Sequence, residues 1–157
     1  MNLQPLSFTT AWEDFMDRNV HFLNAIYQDA NGLSQSLDAL LPKAKDPLMV
    51  SEMQRQRSEY QAISHQAETL IGAYEATPVK PNPAADAAAL AGQKLAATLD
   101  DSHSGIARLL IKEGTQGVAN MTRMVKGYCC CDQPVTALGQ KLLKTRKAQV
   151  EGLQKYL

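Results

Sequence analysis

The stretch PLMVSEMQRQRSEYQAISHQAETLIGAY, residues 47–74, carries the pattern that decides the fold. Apolar residues, with one polar residue among them, recur alternately three and four positions apart: Met49, Met53, Gln56, Tyr60, Ile63, Ala67, Leu70 and Tyr74. This spacing lines one side of an α-helix, and strict alternation is typical of the seam between long helices that pack nearly parallel. The stretch therefore predicts a long helix over about 47–75 in an all-α fold.

A second apolar stripe precedes this helix. Its members are spaced three or four apart: Leu23, Ile26, Ala30, Leu33, Leu37 and Leu40. They predict a helix over about 8–41. Only the turn PKAKDP, residues 42–47, separates the two helices, and a connection this short makes them antiparallel neighbours. Residues 8–75 are thus predicted to form a first helical hairpin.

The second half of the chain has a similar layout after a proline-rich break. Prolines 78, 81 and 83 predict an extended linker over 76–83, and alanine-rich residues 84–100 predict a short helix. Two further apolar stripes then predict a second hairpin over about 102–157: Ile106, Leu110, Met121, Met124 and Tyr128, then Val135, Leu138, Leu142, Val150, Leu153 and Leu157. We therefore expect one domain over 1–157, an up-down four-helix bundle with a short extra helix in the crossover.

The two hairpins also resemble each other. Each has a glycine within its first helix, Gly32 or Gly117, and a turn that ends in Asp and Pro. Two hairpins joined by one long crossover describe the ferritin-like topology. Over roughly residues 20–157 the chain resembles a bacterial family of ferritin-like four-helix bundles of unknown function. The segments that carry the resemblance are LNAIYQDANG (23–32), KDP (45–47), QRQRSEYQ (54–61) and LLIKEGTQG (109–117). The resemblance implies this fold, a homo-oligomer and a metal-binding ancestor.

The ligand pattern of a di-iron bundle is missing. Such a site uses Glu-x-x-His on two helices, and this sequence contains no Glu-x-x-His. On the predicted registers His21 and His65 point away from the core, and His103 suits a polar role at a helix start. Glu113 falls close to the seam of its helix, where Gln56 is a candidate hydrogen-bond partner. Such a polar layer either fixes helix register, the favoured interpretation, or is a degenerate metal site.

Three adjacent cysteines, Cys129 to Cys131, follow the helix predicted to end near Tyr128. Zinc ligands are usually spaced two to four residues apart, and the negative end of a helix dipole disfavours thiolate. Packing of small apolar thiols in the turn is therefore the favoured interpretation, with metal binding or redox sensing as alternatives. If the chain binds a transition metal ion, the candidate ligands are Glu113, His103, Cys129, Cys130 and Cys131.

Charge is balanced overall but unevenly distributed. The sequence has 16 basic and 16 acidic residues, which argues against a nucleic-acid binder. Acidic residues gather in the first helix: Glu13, Asp14, Asp17, Asp29 and Asp38. Basic residues gather in the last helix: Lys141, Lys144, Arg146, Lys147 and Lys155. We expect these to be solvated faces that help select neighbouring helices or a partner subunit.

Apolar residues also cluster near the N-terminus: Leu6, Phe8, Trp12 and Phe15. They either cap one end of the bundle or form an exposed patch for a second subunit. No apolar run approaches the length of a membrane span, and no signal-peptide pattern is present, so a cytoplasmic location with reduced thiols is expected.

No serine–histidine–aspartate arrangement, P-loop or dinucleotide fingerprint is found. The sequence favours a non-enzymatic structural or protein-interaction module, without a cofactor, that forms a homodimer or binds another protein. The alternative is a metal-binding or metal-storage protein that uses Glu113 and the cysteines.

Overall fold

The computed structural model describes residues 8–79 and 102–157, and this part of the chain contains four α-helices and no β-strand. The helices are α1 (Phe8–Leu40), α2 (Pro47–Ala73), α3 (His103–Gly127) and α4 (Gln133–Leu153), with short 3-10 turns at Leu41–Lys43 and Gln154–Tyr156. The all-α prediction with four long helices is confirmed. The short helix predicted over 84–100 and the second half of the predicted linker, from residue 80, lie outside the described residues.

The turn between α1 and α2 forms as its sequence predicts. Asp46 is the N-cap of α2, and its side chain accepts a hydrogen bond of 2.9 Å from the backbone N–H of Met49. Pro47 occupies the first helical position, where its missing N–H costs nothing and its fixed φ suits a helix. This arrangement reverses the chain within a few residues and places α2 against α1 along its length.

One hydrophobic core joins the four helices. Most residues of the predicted stripes are buried in it, including Tyr60, whose side chain is fully enclosed. The predicted stripe of α2 shifts at its last turns, because Ile71 is buried while Leu70 and Tyr74 are only half-buried. A long straight helix drifts relative to a strict 3.5-residue repeat, so its buried side rotates gradually along the seam. At the end of the chain Leu157, predicted to belong to the last stripe, is exposed.

The direction of each helix follows from contacts between distant residues. Asn19 of α1 lies beside Asp132 at the start of α4, and Asp29 lies beside Arg146 further along α4. Positions therefore increase together, so α1 and α4 run in the same direction. Helix α2 runs antiparallel to both of them.

The helical core has two distinct ends. At the cysteine end, formed by residues 128–132 and the last turn of α2, the hydroxyl of Tyr74 donates a hydrogen bond to Asp132. At the opposite end the ring of His103, the first residue of α3, lies 6.4 Å from the ring of Tyr156. Helix α2 therefore finishes at the cysteine end and α3 begins at the opposite end, so these two helices run in the same direction.

Helix α1 extends beyond the cysteine end. Asn19 is the first residue of α1 that is buried among those whose burial is described, and its side-chain oxygen accepts a 2.8 Å hydrogen bond from the backbone N–H of Asp132. The residues before it, 8–18, form a helical extension that we call the overhang. With a rise of 1.5 Å per residue, the overhang is about 16 Å long.

Candidate functional site

A buried ion pair occupies the middle of the helical core. The guanidinium Nη1 of Arg146 in α4 donates hydrogen bonds of 2.6 and 2.5 Å to the two carboxylate oxygens of Asp29 in α1. The Arg146 side chain is only 5% exposed, and Asp29 is half-buried. Because a charge enclosed this way is costly without its partner, each group depends on the other. The pair therefore ties the first helix to the last.

Helix α3 accommodates Arg146 through a glycine. A Cβ added at Gly117 would overlap the guanidinium, so the absence of a side chain there lets the arginine pass close to the backbone of α3. Glu113, one turn earlier, is exposed, yet its position next to α4 partly desolvates its carboxyl and raises its pKa above the ordinary value, while the Arg146 charge lowers it. The missing side chain at Gly117 thus leaves the room that the buried guanidinium of Arg146 occupies.

Next to the ion pair, three side chains form a buried hydrogen-bonded chain. The hydroxyl of Tyr60 donates to Oε1 of Gln149 at 2.6 Å, and Nε2 of Gln149 donates to Oε1 of Gln56 at 3.0 Å. Burial strongly raises the pKa of Tyr60, against a lowering effect of the Arg146 charge, so this phenol stays neutral and remains a donor. The chain links α2 to α4 in one register.

Two predictions about these interior residues are wrong. Gln56 is buried as predicted, but its partner is Gln149 rather than Glu113, whose side chain is exposed. Arg146, predicted to lie on a solvated basic face, is buried and neutralised by Asp29. A signal for its burial was present, because Arg146 lies four residues after Leu142 and so continues the apolar stripe of α4. The burial of Arg146 was missed because it was grouped with the neighbouring lysines of α4, which are exposed.

The candidate metal ligands lie at different levels of α3. His103 is exposed at the first position of α3, where Ser102 rather than His103 supplies the N-cap oxygen. Glu113 follows ten residues later, about 15 Å along the helix axis, and Cys129 lies past the end of α3, which is itself about 21 Å beyond Glu113. A single ion cannot contact all three groups. His21 and His65 are exposed, as predicted.

The cysteines are at the end of α3, as predicted, but two of them are not packing residues. Cys129 and Cys130 are exposed, with their sulfur atoms 3.7 Å apart, so the packing interpretation is wrong for both. Cys131 is half-buried against the core. Burial raises the pKa of the Cys131 thiol, although the charge of Arg18 lowers it, so this thiol is the less reactive kind.

The turn that carries the cysteines is held firmly on both sides. Tyr128 stacks on the ring of Phe22, with centroids 4.8 Å apart, and its hydroxyl is 2.5 Å from Nδ1 of His21. A Cβ at Gly139 would overlap the ring of Phe22, so this glycine lets α4 approach α1 closely. The side-chain oxygen of Asn19 accepts a hydrogen bond from the backbone N–H of Asp132, directly after the cysteines. The cysteine end is therefore an ordered surface next to the overhang.

The overhang itself exposes an aromatic residue. Trp12 is 62% exposed and lies on the same side of α1 as Phe15 and Met16, which are half-buried. Glu13 and Asp17, which lie beside this apolar side, are exposed to solvent. The N-terminal apolar cluster was predicted either to cap the bundle or to form an exposed patch, and the exposure of Trp12 fits the exposed patch. Leu6, another member of the predicted cluster, lies outside the described residues.

A groove opens on the helical core near the same end. It has a volume of about 400 Å³ and lies between the last turns of α2 and the first turns of α4. Its walls are mostly apolar, with Leu70, Pro134 and Leu138 among them, and Lys141 stands at its edge. The ammonium of Lys141 donates a 3.4 Å hydrogen bond to the side-chain oxygen of Gln66 across the groove.

Among residues 8–79 and 102–157 no group of three or more histidine, cysteine or acidic side chains is arranged to hold a metal ion. None of the helices described is both long enough and apolar enough to cross a membrane. Comparison with protein-family models, with curated proteins and with solved structures found no match to this chain.

Proposed function

We propose that this chain is a non-enzymatic four-helix bundle that acts as a protein-interaction module. The observation that carries the proposal is the overhang, because a helix that extends past its own core with Trp12 62% exposed presents an apolar surface to other molecules. Tryptophan is among the residues most enriched at the centres of protein interfaces. The interior polar residues, by contrast, bind one another and hold the helices in register.

Helix directions support a ferritin-like topology for this module. Helices α2 and α3 run in the same direction, which is the arrangement expected when two helical hairpins are joined by one long crossover, as in ferritin-like folds. The proposal does not extend to an intact di-iron site. The interior carboxylate of Asp29 is already neutralised by Arg146, and a buried guanidinium opposes a divalent cation beside it. The residues present therefore do not fit the ancestral metal centre.

Site-specific photo-crosslinking in living cells tests this function. A photoreactive phenylalanine analogue at position 12 is expected to form adducts with discrete protein species. The same analogue at position 48 is the matched control, because Leu48 is 75% exposed at the start of α2, near the opposite end of the helical core. Adducts found at position 12 and not at position 48 support the proposal. Equal adducts at both positions, or none at either, contradict it.

Metal binding through the thiols is the second candidate function. The observation that favours it is the pair of exposed sulfur atoms of Cys129 and Cys130, 3.7 Å apart, a separation that lets both contact one soft ion such as Cu(I). Glu113 and His103 are too distant to share that ion.

Elemental analysis of protein purified anaerobically, without chelator or affinity metal, tests this candidate. About one equivalent of copper or zinc in the wild type, lost in a Cys129→Ser/Cys130→Ser variant, would establish it. Equal metal content in both proteins would contradict it.

A further inference from the structure

The apolar side of the overhang continues the buried stripe of α1. Trp12, Phe15 and Met16 lie seven residues, or two turns, before the buried positions 19, 22 and 23. The same side of the helix is therefore covered by α2 and α4 inside the core, whereas beyond the core its residue Trp12 is 62% exposed. Trp12 and Phe15 already contact each other, with ring centroids 5.7 Å apart, and form one apolar ridge.

The groove between α2 and α4 suits such a ridge in size and polarity. Its volume of about 400 Å³ is within the range that accommodates large apolar groups. From Pro134 to Lys141 its wall follows α4 for about 10 Å, so it holds two turns of a docked helix. Both the groove and the overhang are at the cysteine end of the molecule.

The charges around the two surfaces are also complementary. The overhang has three exposed carboxylates, Glu13, Asp14 and Asp17, and only Arg18 to balance them. On the groove side, Lys141 stands at the edge, and its ammonium has no carboxylate partner among residues 8–79 and 102–157. An acidic helix is therefore attracted to this groove, whereas the same acidic helix is repelled by an anionic membrane surface.

We infer that the overhang of one copy docks in the α2–α4 groove of a second copy, and that the second copy's overhang docks in the first in return. Because both surfaces are at the same end of the chain, one two-fold axis satisfies both contacts and closes the assembly as a dimer. Trp12 is the anchor of each contact, and Glu13, at the edge of the apolar side, faces Lys141 of the other copy. This inference rests on the proposed interaction function and names its partner.

The size of the contacts predicts a modest affinity. An aromatic side chain buries about 150–250 Å², so the two Trp12 anchors and the groove surface that they cover bury roughly 600–1,000 Å² in total, below the size of a standard specific interface. A dimer with a dissociation constant on the order of 1–100 µM is expected for an interface this small.

Sedimentation velocity of the full-length protein over roughly this concentration range tests the inference. The wild type is expected to change from monomer to dimer, and Trp12→Ala to weaken association roughly tenfold or more. Leu48→Ala is the control, since it removes an exposed apolar residue near the opposite end and should leave association unchanged. A wild type that stays monomeric, or a dimer that Trp12→Ala leaves intact, would overturn the inference.

A charge exchange tests the pairing of the two surfaces. Glu13→Lys and Lys141→Glu each place like charges together and should weaken dimerisation on their own. Mixing the two variants restores opposite charges at both contacts, so the mixture should dimerise better than either variant alone. Both positions are exposed, so circular dichroism should show unchanged folding. A mixture no better than its components would overturn the pairing.

The two proposals fail in different ways. If the purified protein stays monomeric while position 12 crosslinks to a different protein in cells, the dimer is wrong and the interaction function stands. If position 12 crosslinks to nothing, the interaction function itself is wrong.

Discussion

Replacing Gly117 by alanine should destabilise the protein strongly, although glycine-to-alanine changes inside helices usually stabilise. A Cβ at this position would overlap the guanidinium of Arg146, which is held between α3 and Asp29. The arginine side chain is flexible, but it is 95% enclosed, and within residues 8–79 and 102–157 Asp29 is the carboxylate that accepts its hydrogen bonds. Moving it therefore separates the ion pair.

The expected magnitude follows from two opposing terms. Breaking a buried ion pair costs about 3–5 kcal/mol, because one charge is left uncompensated. Alanine recovers about 1 kcal/mol of helix propensity relative to glycine. The net loss in free energy of unfolding is therefore about 2–4 kcal/mol. With a urea dependence of about 2 kcal/mol per molar, the unfolding midpoint should fall by about 1–2 M.

Equilibrium urea unfolding followed by circular dichroism measures this change. Gly32→Ala is the matched control, because it also lies within a long helix but has nothing within 4 Å of the added Cβ. That variant should be more stable than the wild type by about 0.5–1 kcal/mol. The two substitutions should thus shift the midpoint in opposite directions. A Gly117→Ala protein as stable as the wild type would refute the placement of Arg146 against α3.

Three further predictions concern the polar chain, the carboxylate near α4 and the thiols. Tyr60→Phe should lower the free energy of unfolding by about 1–3 kcal/mol at pH 7, because the buried side-chain oxygen of Gln149 loses its donor. Since the pKa of Tyr60 is raised in the folded state, its stabilising contribution is lost as pH rises above 10, and thermal melts of the variant should show a smaller alkaline decline. The pKa of Glu113 is likewise raised by desolvation. The neutral carboxyl therefore contributes to the free energy of unfolding at low pH, and this contribution is lost as pH rises through the folded-state pKa. Glu113→Gln should therefore have the higher urea midpoint at pH 7 and the same midpoint as wild type below about pH 4, and a lower midpoint at pH 7 would contradict this. In a thiol-reactive dye assay the native protein should show two fast thiols and one slow thiol, Cys131, and all three should react alike in urea; three equal native rates would count against its burial.

The helices and their first turn could be predicted because their signals are local. The alternation of apolar residues in α2 and the Asp46–Pro47 cap depend on residues a few positions apart, and helix formation responds to that range. The observed ends of α1 and α2 differ from the predicted ends by one or two residues, because helix ends are set by caps and packing rather than by the apolar stripe. Leu157 continues the apolar spacing of α4 but lies past its last turn and is 64% exposed.

The interior ion pair could not be predicted from residue type. Lys141, Lys144 and Arg146 look alike as basic residues of one helix, and only the third meets a carboxylate and a glycine contributed by two other helices. The meeting of these three residues depends on how α1, α3 and α4 pack, and no local sequence pattern records that packing. The exposure of Cys129 and Cys130 has the same origin, since the turn rotates only the third thiol toward the core.

The separation of Asp29 and Arg146 along the chain has a consequence for biosynthesis. The two residues are 117 positions apart, and α4 is made after α1, α2 and α3. At about 5–20 residues per second, the nascent chain waits roughly 6–23 s between the two. During that interval α1 and α2 can form their hairpin, but Arg146 is not yet present to pair with the carboxylate of Asp29, and the apolar side that α4 later covers faces solvent or a chaperone. Synthesis of α4 thus closes the core, and it also ends the lifetime of an intermediate that has an unpaired charge and is prone to aggregate.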